Sequence, residues 1–220
     1  MTHSTPHALS AQLEILDPGH PQREPLRRHL EEVFGAAFGA QPGHLHDRLL
    51  ALRDARGGAL GMIGASRACD HAQLFVEQYL DVPAEALWSK RLGRRVARDE
   101  VVEVGNLAAR RAGFGPWLVT ALAEHLVANA SPLTIFAGTA ALRDFFEHMG
   151  VTAHDHGRAD PQRLGDEAAR WGRYYDDDPH VCTVHAADLL HASASLNRRR
   201  PQFTPVLHAA RGARPWRHSA

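Results

Sequence analysis

Val101-Val102-Glu103-Val104-Gly105-Asn106-Leu107-Ala108, followed by Arg110-Arg111-Ala112-Gly113-Phe114-Gly115-Pro116, is the stretch that decides the fold of this chain. Its first half is β-branched and apolar, the composition of a strand buried on both faces. Its second half is an Arg-x-x-Gly-x-Gly turn. Pro116 then opens a helix expected to run to about Asn129, with Leu118, Ala121, Leu122 and Leu126 on its packing face. The glycines let the turn adopt positive φ and let a ligand approach the backbone closely. A helix start adds unpaired N–H groups and the positive end of its dipole, which together favour a phosphate. Arg110 and Arg111 could add charge-assisted contacts to it. An ordinary glycine-bearing turn between strand and helix would carry the same residues.

Working outward, Ser131-Pro132 stops the helix and Leu133-Thr134-Ile135-Phe136-Ala137 is a second short buried strand. Thr139 can cap the next helix, where Leu142, Phe145, Phe146 and Met149 share one face and Gly150 suits the C′ position. Beyond it, a strand is expected at Val151–His154, a polar helix from about Pro161 to Tyr174, and a last strand at Val181–Val184. On the other side, Leu13–Leu16 reads as a strand ended by Asp17-Pro18-Gly19. Pro25 opens a helix carrying Leu26, Leu30, Val33, Phe34 and Ala37 on one face. Leu49–Arg53 and Ala59–Ala65 flank Asp54-Ala55-Arg56-Gly57-Gly58 as a β-hairpin. Strand, helix, strand, helix predicts an α/β layered domain over residues 11–188. Residues 1–10 read as a loose leader. Residues 189–220 read as a flexible or loosely docked tail, with six arginines and no acidic residue.

The chain has 220 residues, 44% of them apolar, with 25 basic and 25 acidic side chains. That is enough apolar surface for one sizeable core, and it excludes disorder of the whole chain. No apolar run reaches the roughly 18–20 residues of a membrane span. The N-terminal residues lack the basic start and apolar run of a secretory signal. Cys69 and Cys182 cannot make a disulfide framework, so a cytoplasmic location is expected. Only Lys90 among the basic residues is lysine, and there are 16 histidines. Coding bias explains both features, as would anion recognition by arginine or titration and metal binding by histidine.

The order strand, Arg-x-x-Gly-x-Gly, helix, strand, then a helix ending Phe145-Phe146-Glu147-His148-Met149-Gly150-Val151, resembles the GNAT acyltransferase superfamily over roughly residues 49–155. The resemblance implies a mixed sheet flanked by helices, with two strands splayed to admit a pantetheine arm. Gly105 is where a bulge could begin that splay. A narrower resemblance covers more of the chain. Leu74-Phe75-Val76-Glu77-Gln78-Tyr79-Leu80-Asp81, Val102–Ala108 and Trp171-Gly172-Arg173-Tyr174-Tyr175-Asp176 look like the blocks of the thermostable hemolysin family. That family is related to GNAT enzymes and to acyl-homoserine-lactone synthases.

These resemblances imply acyl transfer from an acyl-CoA or acyl-phosphopantetheine thioester, free or on an acyl carrier protein, to a small acceptor, expected to be an amine. Arg110, Arg111, Gly113, Phe114 and Gly115 would hold the donor. Glu103 would deprotonate the amine, unless it is a buried carboxylate bonded to loop backbone. Asn106 could orient a substrate carbonyl or cap the bulge. Phe146 stands where many GNAT enzymes carry a tyrosine acid. Tyr174 or Tyr175 could replace it, or pack against Trp171. Glu77, Gln78, Tyr79 and Asp81 are expected to line the acceptor pocket, or else to form an exposed edge. His44-x-His46 and His154-Asp155-His156 have the spacing of metal-binding pairs. Three or four ligands must converge, so no metal is expected. The arginine-rich tail lacks the aromatic interleaving of a nucleic-acid binder, and neither specific nucleic-acid binding nor membrane contact is expected. A membrane-active haemolysin and a non-catalytic acyl-ligand binder are the competing functions.

Overall fold

The computed structural model describes residues 12–110, 114–199 and 208–211. The expected leader, Arg111 and Gly113 of the turn, and most of the expected tail lie outside them. In chain order the elements are β1 (Gln12–Leu16), α1 (Arg23–Phe38), β2 (Arg48–Arg53), β3 (Ala59–Arg67), α2 (Ala84–Leu92), β4 (Val101–Ala109), α3 (Gly115–Ala128), β5 (Leu133–Gly138), α4 (Ala140–His148), β6 (His154–Arg158), β7 (His180–His185), α5 (Ala186–Arg199) and β8 (His208–Arg211). The eight described strands form one mixed sheet in the order β6-β7-β5-β4-β3-β2-β1-β8.

Alternation along the strands feeds two cores. Leu49, Ala51, Met62, Val101, Leu133 and Ile135 face α1 and α2, meeting Leu26, Leu30, Phe34 and the fully buried Trp88. Leu50, Leu52, Ile63, Val102, Phe136 and Val184 face the other way, onto α3, α4 and α5. Burial on both faces explains why β2 to β5 carry near-continuous apolar runs. β4 and β5 run parallel, and α3 makes the crossover between them.

Several boundaries follow the expected chemistry. Pro116 stands at the start of α3. Gly150, at φ +73°, ends α4: its N–H bonds to the Glu147 carbonyl (2.8 Å) and that of Val151 to Phe146 (2.9 Å). Gly supplies the left-handed residue that this closure requires. Thr139 holds the N-cap position of α4, but its side chain makes no capping bond.

Other expectations are corrected. Residues 161–171 form a 3-10 run rather than a polar α-helix, and Gly165 (φ 56°, ψ −132°) breaks it. The expected strand at Val151–His154 begins three residues later, at His154–Arg158, because Val151 is spent closing α4. α2 is not foreseen at all. Its helix-forming Ala-Glu-Ala-Leu-Trp-Ser-Lys-Arg-Leu buries Trp88 but has a weak apolar stripe. α5 runs unbroken across residue 189, where the tail is expected to start, and Leu189 is buried.

Candidate active site

The site begins where two strands part. β4 and β5 pair only at Val101·Leu133, Val102·Thr134 and Glu103·Ile135, yet β4 continues to Ala109 and β5 to Gly138. A bulge in β4 accompanies the split. Met62 pairs with Ala108 but Gly64 pairs with Gly105, which leaves one extra residue in β4. Asn106 sits in this bulge at φ +50°. Asparagine enters that region more readily than most side chains. Here Oδ1 accepts the His46 N–H (2.9 Å), and Nδ2 donates to the His44 carbonyl (3.0 Å). A bulge raises local twist and turns the strand out of plane. Beyond Glu103 the facing edges of β4 and β5 are left without each other.

A cavity of about 210 Å³ opens at this fork and passes through the sheet. On the α1 face its wall is aromatic: Phe34, Phe38, Phe75, Tyr79, Trp171 and Tyr174. On the other face it is mostly aliphatic, with Val119, Leu122, Ala123, Leu126 and Leu142 from α3 and α4 joined by the Phe146 ring. Residues 161–177 close the aromatic limb. Gln41 N–H bonds to the Arg170 carbonyl (2.7 Å) and Arg173 N–H to the Phe38 carbonyl (2.8 Å). Gly172 (φ +51°) lies so close to the Phe38 carbonyl that no Cβ could fit.

Glu103 stands at the fork, only 4% exposed. Its Oε2 accepts the Phe75 N–H and its Oε1 the Val76 N–H, both at 2.9 Å, at the start of a 3-10 turn over Val76–Tyr79. Burial pushes its pKa up to about 8, against the pull of those two N–H groups. Glu103 therefore has the loop-backbone bonds of a buried carboxylate, and it also lines the cavity.

His46, 3% exposed, is the second titratable group at the fork. Gly64 and Gly105 are register partners on β3 and β4, and the His46 ring fills the notch they leave. A Cβ at Gly64 would lie 2.8 Å from His46 Cβ, and one at Gly105 would overlap Nε2. Its Nδ1 meets the Ser66 hydroxyl at 3.0 Å, and burial holds its pKa well below the ordinary histidine value. His44 stacks on Phe75 (centroids 5.6 Å, 15° between planes) and lies edge-on to His46 at 4.9 Å. Neither histidine is foreseen from sequence as part of an acyl-transfer site. Two glycines inside adjacent strands were the readable signal, since each weakens a strand unless something approaches its backbone.

Of the other expected site residues, some gather here and some do not. Tyr174 lies on the cavity wall and donates its hydroxyl to the Ala137 carbonyl (3.1 Å). Tyr79 lines the cavity and shares a hydrogen bond with Tyr175 (2.8 Å between hydroxyls). Glu77 does not line the cavity at the fork. Its carboxylate is bidentate to Arg98 (2.8 and 2.9 Å) and accepts the N–H groups of Leu74 (2.7 Å) and Ala84 (2.8 Å). Those bonds tie the Val76–Tyr79 turn to the start of α2, so the apolar flanks of Glu77 mark a buried structural carboxylate. Asp81 is exposed and ion-paired with Arg163, and half-buried Gln78 is outside the lining. Arg110 leans on α1, with Nη2 3.1 Å from Glu32 and Nε 3.4 Å from His29 Nδ1. Phe114 is buried in the core beneath α3, and no described residue lies within 4 Å of where a Cβ on Gly115 would stand. His154-Asp155-His156 does not converge: Asp155 bonds to His180 (2.7 Å) and His156 to Thr183 (2.9 Å). Among the described residues no three His, Cys, Asp or Glu side chains are placed to hold a metal ion. No described helix is long and apolar enough to cross a membrane.

The family model described as "Thermostable hemolysin" matches residues 16–189. The chain belongs to the thermostable hemolysin family. No curated protein matches its sequence. Solved structures share the fold of this family member at low identity. FeeM, an N-acyl amino acid synthase from uncultured soil microbes, is 11% identical with a TM-score of 0.56, over 84% of this chain and 95% of that one. BjaI, a CoA-dependent acyl-homoserine lactone synthase solved with SAM and isopentyl-CoA, is 12% identical with a TM-score of 0.56, over 86% and 89%. TofI, solved in a ternary complex with an inhibitor and MTA, is 17% identical with a TM-score of 0.51, over 82% and 95%. The fold is the GNAT-like one, with its mixed sheet and parted strands.

Proposed function

We propose that this protein transfers an acyl group from a phosphopantetheine thioester to a small amine. One observation carries the reading: β4 and β5 part at Glu103 over a cavity that crosses the sheet. The parted edges leave backbone N–H and C=O groups in need of partners, and the two amides of a pantetheine arm can supply them. The aliphatic limb between α3 and α4 suits a fatty acyl chain longer than acetyl. The aromatic limb, with its polar groups at the fork, suits the acceptor. The chain and the acceptor therefore enter from opposite faces and meet beside Glu103.

In this scheme Glu103 as carboxylate takes a proton from the amine as its nitrogen forms a bond to the thioester carbon. The tetrahedral intermediate collapses, the C–S bond breaks, and the thiolate leaves with its electron pair. A thiolate needs little help to leave. Tyr174, at the parted end of β5, can release the Ala137 carbonyl and give that thiolate a hydrogen bond. Asn106 acts by holding the bulge. The turn bearing Arg110, Arg111, Gly113, Phe114 and Gly115 is retained as the seat of the donor phosphate, with the start of α3 and the space that the described residues leave at Gly115 in its favour.

The test supplies octanoyl-CoA and octanoyl-loaded acyl carrier protein, each with a panel of amino acids and amines, and follows free thiol. Amine-dependent thiol release with either donor is expected, reduced about a hundredfold or more in Glu103→Gln. A rise in Tm with a donor but no thiol release would leave only ligand carriage. Neither binding nor release with either donor would overturn the reading.

A further inference from the structure

The loop carrying His46 is held more firmly than packing requires. Arg23 donates from Nη1 to the Asp47 carbonyl and from Nη2 to the His46 carbonyl, both at 2.6 Å. Asn106, itself at a strained positive φ, binds the His46 N–H and the His44 carbonyl. Ser66 Oγ accepts the Asp47 N–H at 3.0 Å. Two strand glycines are then required to make room for the ring. Strain and over-determination of this kind mark groups held in place for chemistry.

The hydrogen bonds also fit one tautomer of the ring. Ser66 Oγ accepts from Asp47, and its own hydrogen can be donated to His46 Nδ1. With Nδ1 accepting, the neutral ring must carry its proton on Nε2. That nitrogen lies over Gly105, beside the fork. Alternate residues of a strand share a face, so Gly105 stands on the same side of β4 as Glu103, roughly 6.6 Å along it.

We propose that His46 is a catalytic hydrogen-bond donor whose Nε2–H holds the thioester carbonyl oxygen as negative charge develops on it. The inference rests on the acyl-transfer reading. As the amine nitrogen bonds to the carbonyl carbon, the π electrons of C=O move to oxygen, and Nε2–H stabilises that oxyanion without giving up its proton. When the C–S bond breaks, the carbonyl re-forms and the hydrogen bond weakens. Burial keeps the ring neutral through the working pH range, so it donates as imidazole rather than as a competing acid. Such a donor acts only where charge develops, so it raises kcat more than it lowers KM.

The test uses His46→Phe, which fills the notch without a donor, and His46→Gln, whose amide N–H stands in for Nε2–H. With octanoyl thioester donors, His46→Phe is expected to lower kcat about 10²–10³-fold with donor KM little changed. His46→Gln should recover part of that loss. Nitrogen-15 NMR of the wild-type protein at pH 7 should show His46 neutral with the proton on Nε2. Wild-type turnover with an undiminished kcat in His46→Phe overturns this proposal alone, and so does a proton found on Nδ1. That second result stands even if His46→Phe fails to fold. A wild-type protein inert toward every donor defeats the acyl-transfer reading, and this inference with it.

Discussion

Gly105 and His46 occupy one space: the imidazole lies where a side chain on residue 105 would be, with Nε2 over the bare Cα. Gly105→Ala must therefore displace the ring, against the Ser66 bond and the loop anchors that hold it. The expected result is a folded protein destabilised by about 1–3 kcal/mol, with kcat falling as in His46→Phe. Thermal melts and thiol-release kinetics check it. An alanine at 105 with wild-type kcat would mean that the position of the ring does not matter.

Glu103 ties activity and stability to pH. Its ordinary value is 4.5 and its folded value is about 8. Between the two, the folded state holds a proton that the unfolded chain has lost. Stability should therefore fall as pH rises through this window, by at most about 1.4 kcal/mol per pH unit. Activity should run the opposite way, rising toward pH 8 as the carboxylate forms. Glu103→Gln is expected to flatten both curves, measured by denaturant melts and by pH–rate profiles.

Breaking the Glu77–Arg98 pair should injure stability rather than acceptor binding. Arg98→Met leaves the buried Glu77 carboxylate without its bidentate partner. The cost expected is about 3–5 kcal/mol, read from urea melts. Whatever enzyme remains folded should keep its KM for the acceptor.

Ala123 lines the aliphatic limb from α3. Ala123→Phe should shorten that limb. Relative kcat/KM for octanoyl over butanoyl donors is expected to fall about tenfold or more, in line with the hundredfold scale of single-site apolar discrimination. An unchanged preference would place the acyl chain elsewhere.

On the acid side His125 is the informative group. Burial, aided by the Arg48 guanidinium whose Nη1 donates to Nε2 at 3.1 Å, lowers its pKa to about 4 from 6.5. The unfolded chain binds this proton first, so stability should be lost as pH falls from about 6.5 toward 4. His125→Gln should make that part of the profile shallower.

Local chemistry made much of the frame readable. The apolar run around Glu103, Pro116 at a helix start, the Leu142–Met149 stripe and Gly150 each specify their element without help from distant residues. The Asp54–Gly58 turn and the place of Glu103 on a buried strand belong with them. Other features were hidden because their causes are remote. α2 has a weak stripe and exists because Trp88 finds a core pocket. Residues 161–171 look helical but bend at Gly165 to wall the cavity.

What the amino-acid order determined by itself was the strand–turn–helix frame and a glutamate at its centre, because period and turn chemistry act over a few residues. What only the tertiary structure decided was the site around that glutamate. Glu77 carries the same functional groups in an inward structural role as it would in a binding role, and only the position of Arg98 separates the two. His46 lies 59 positions from Gly105. No local pattern can show that the missing side chain of one residue is the seat of the other.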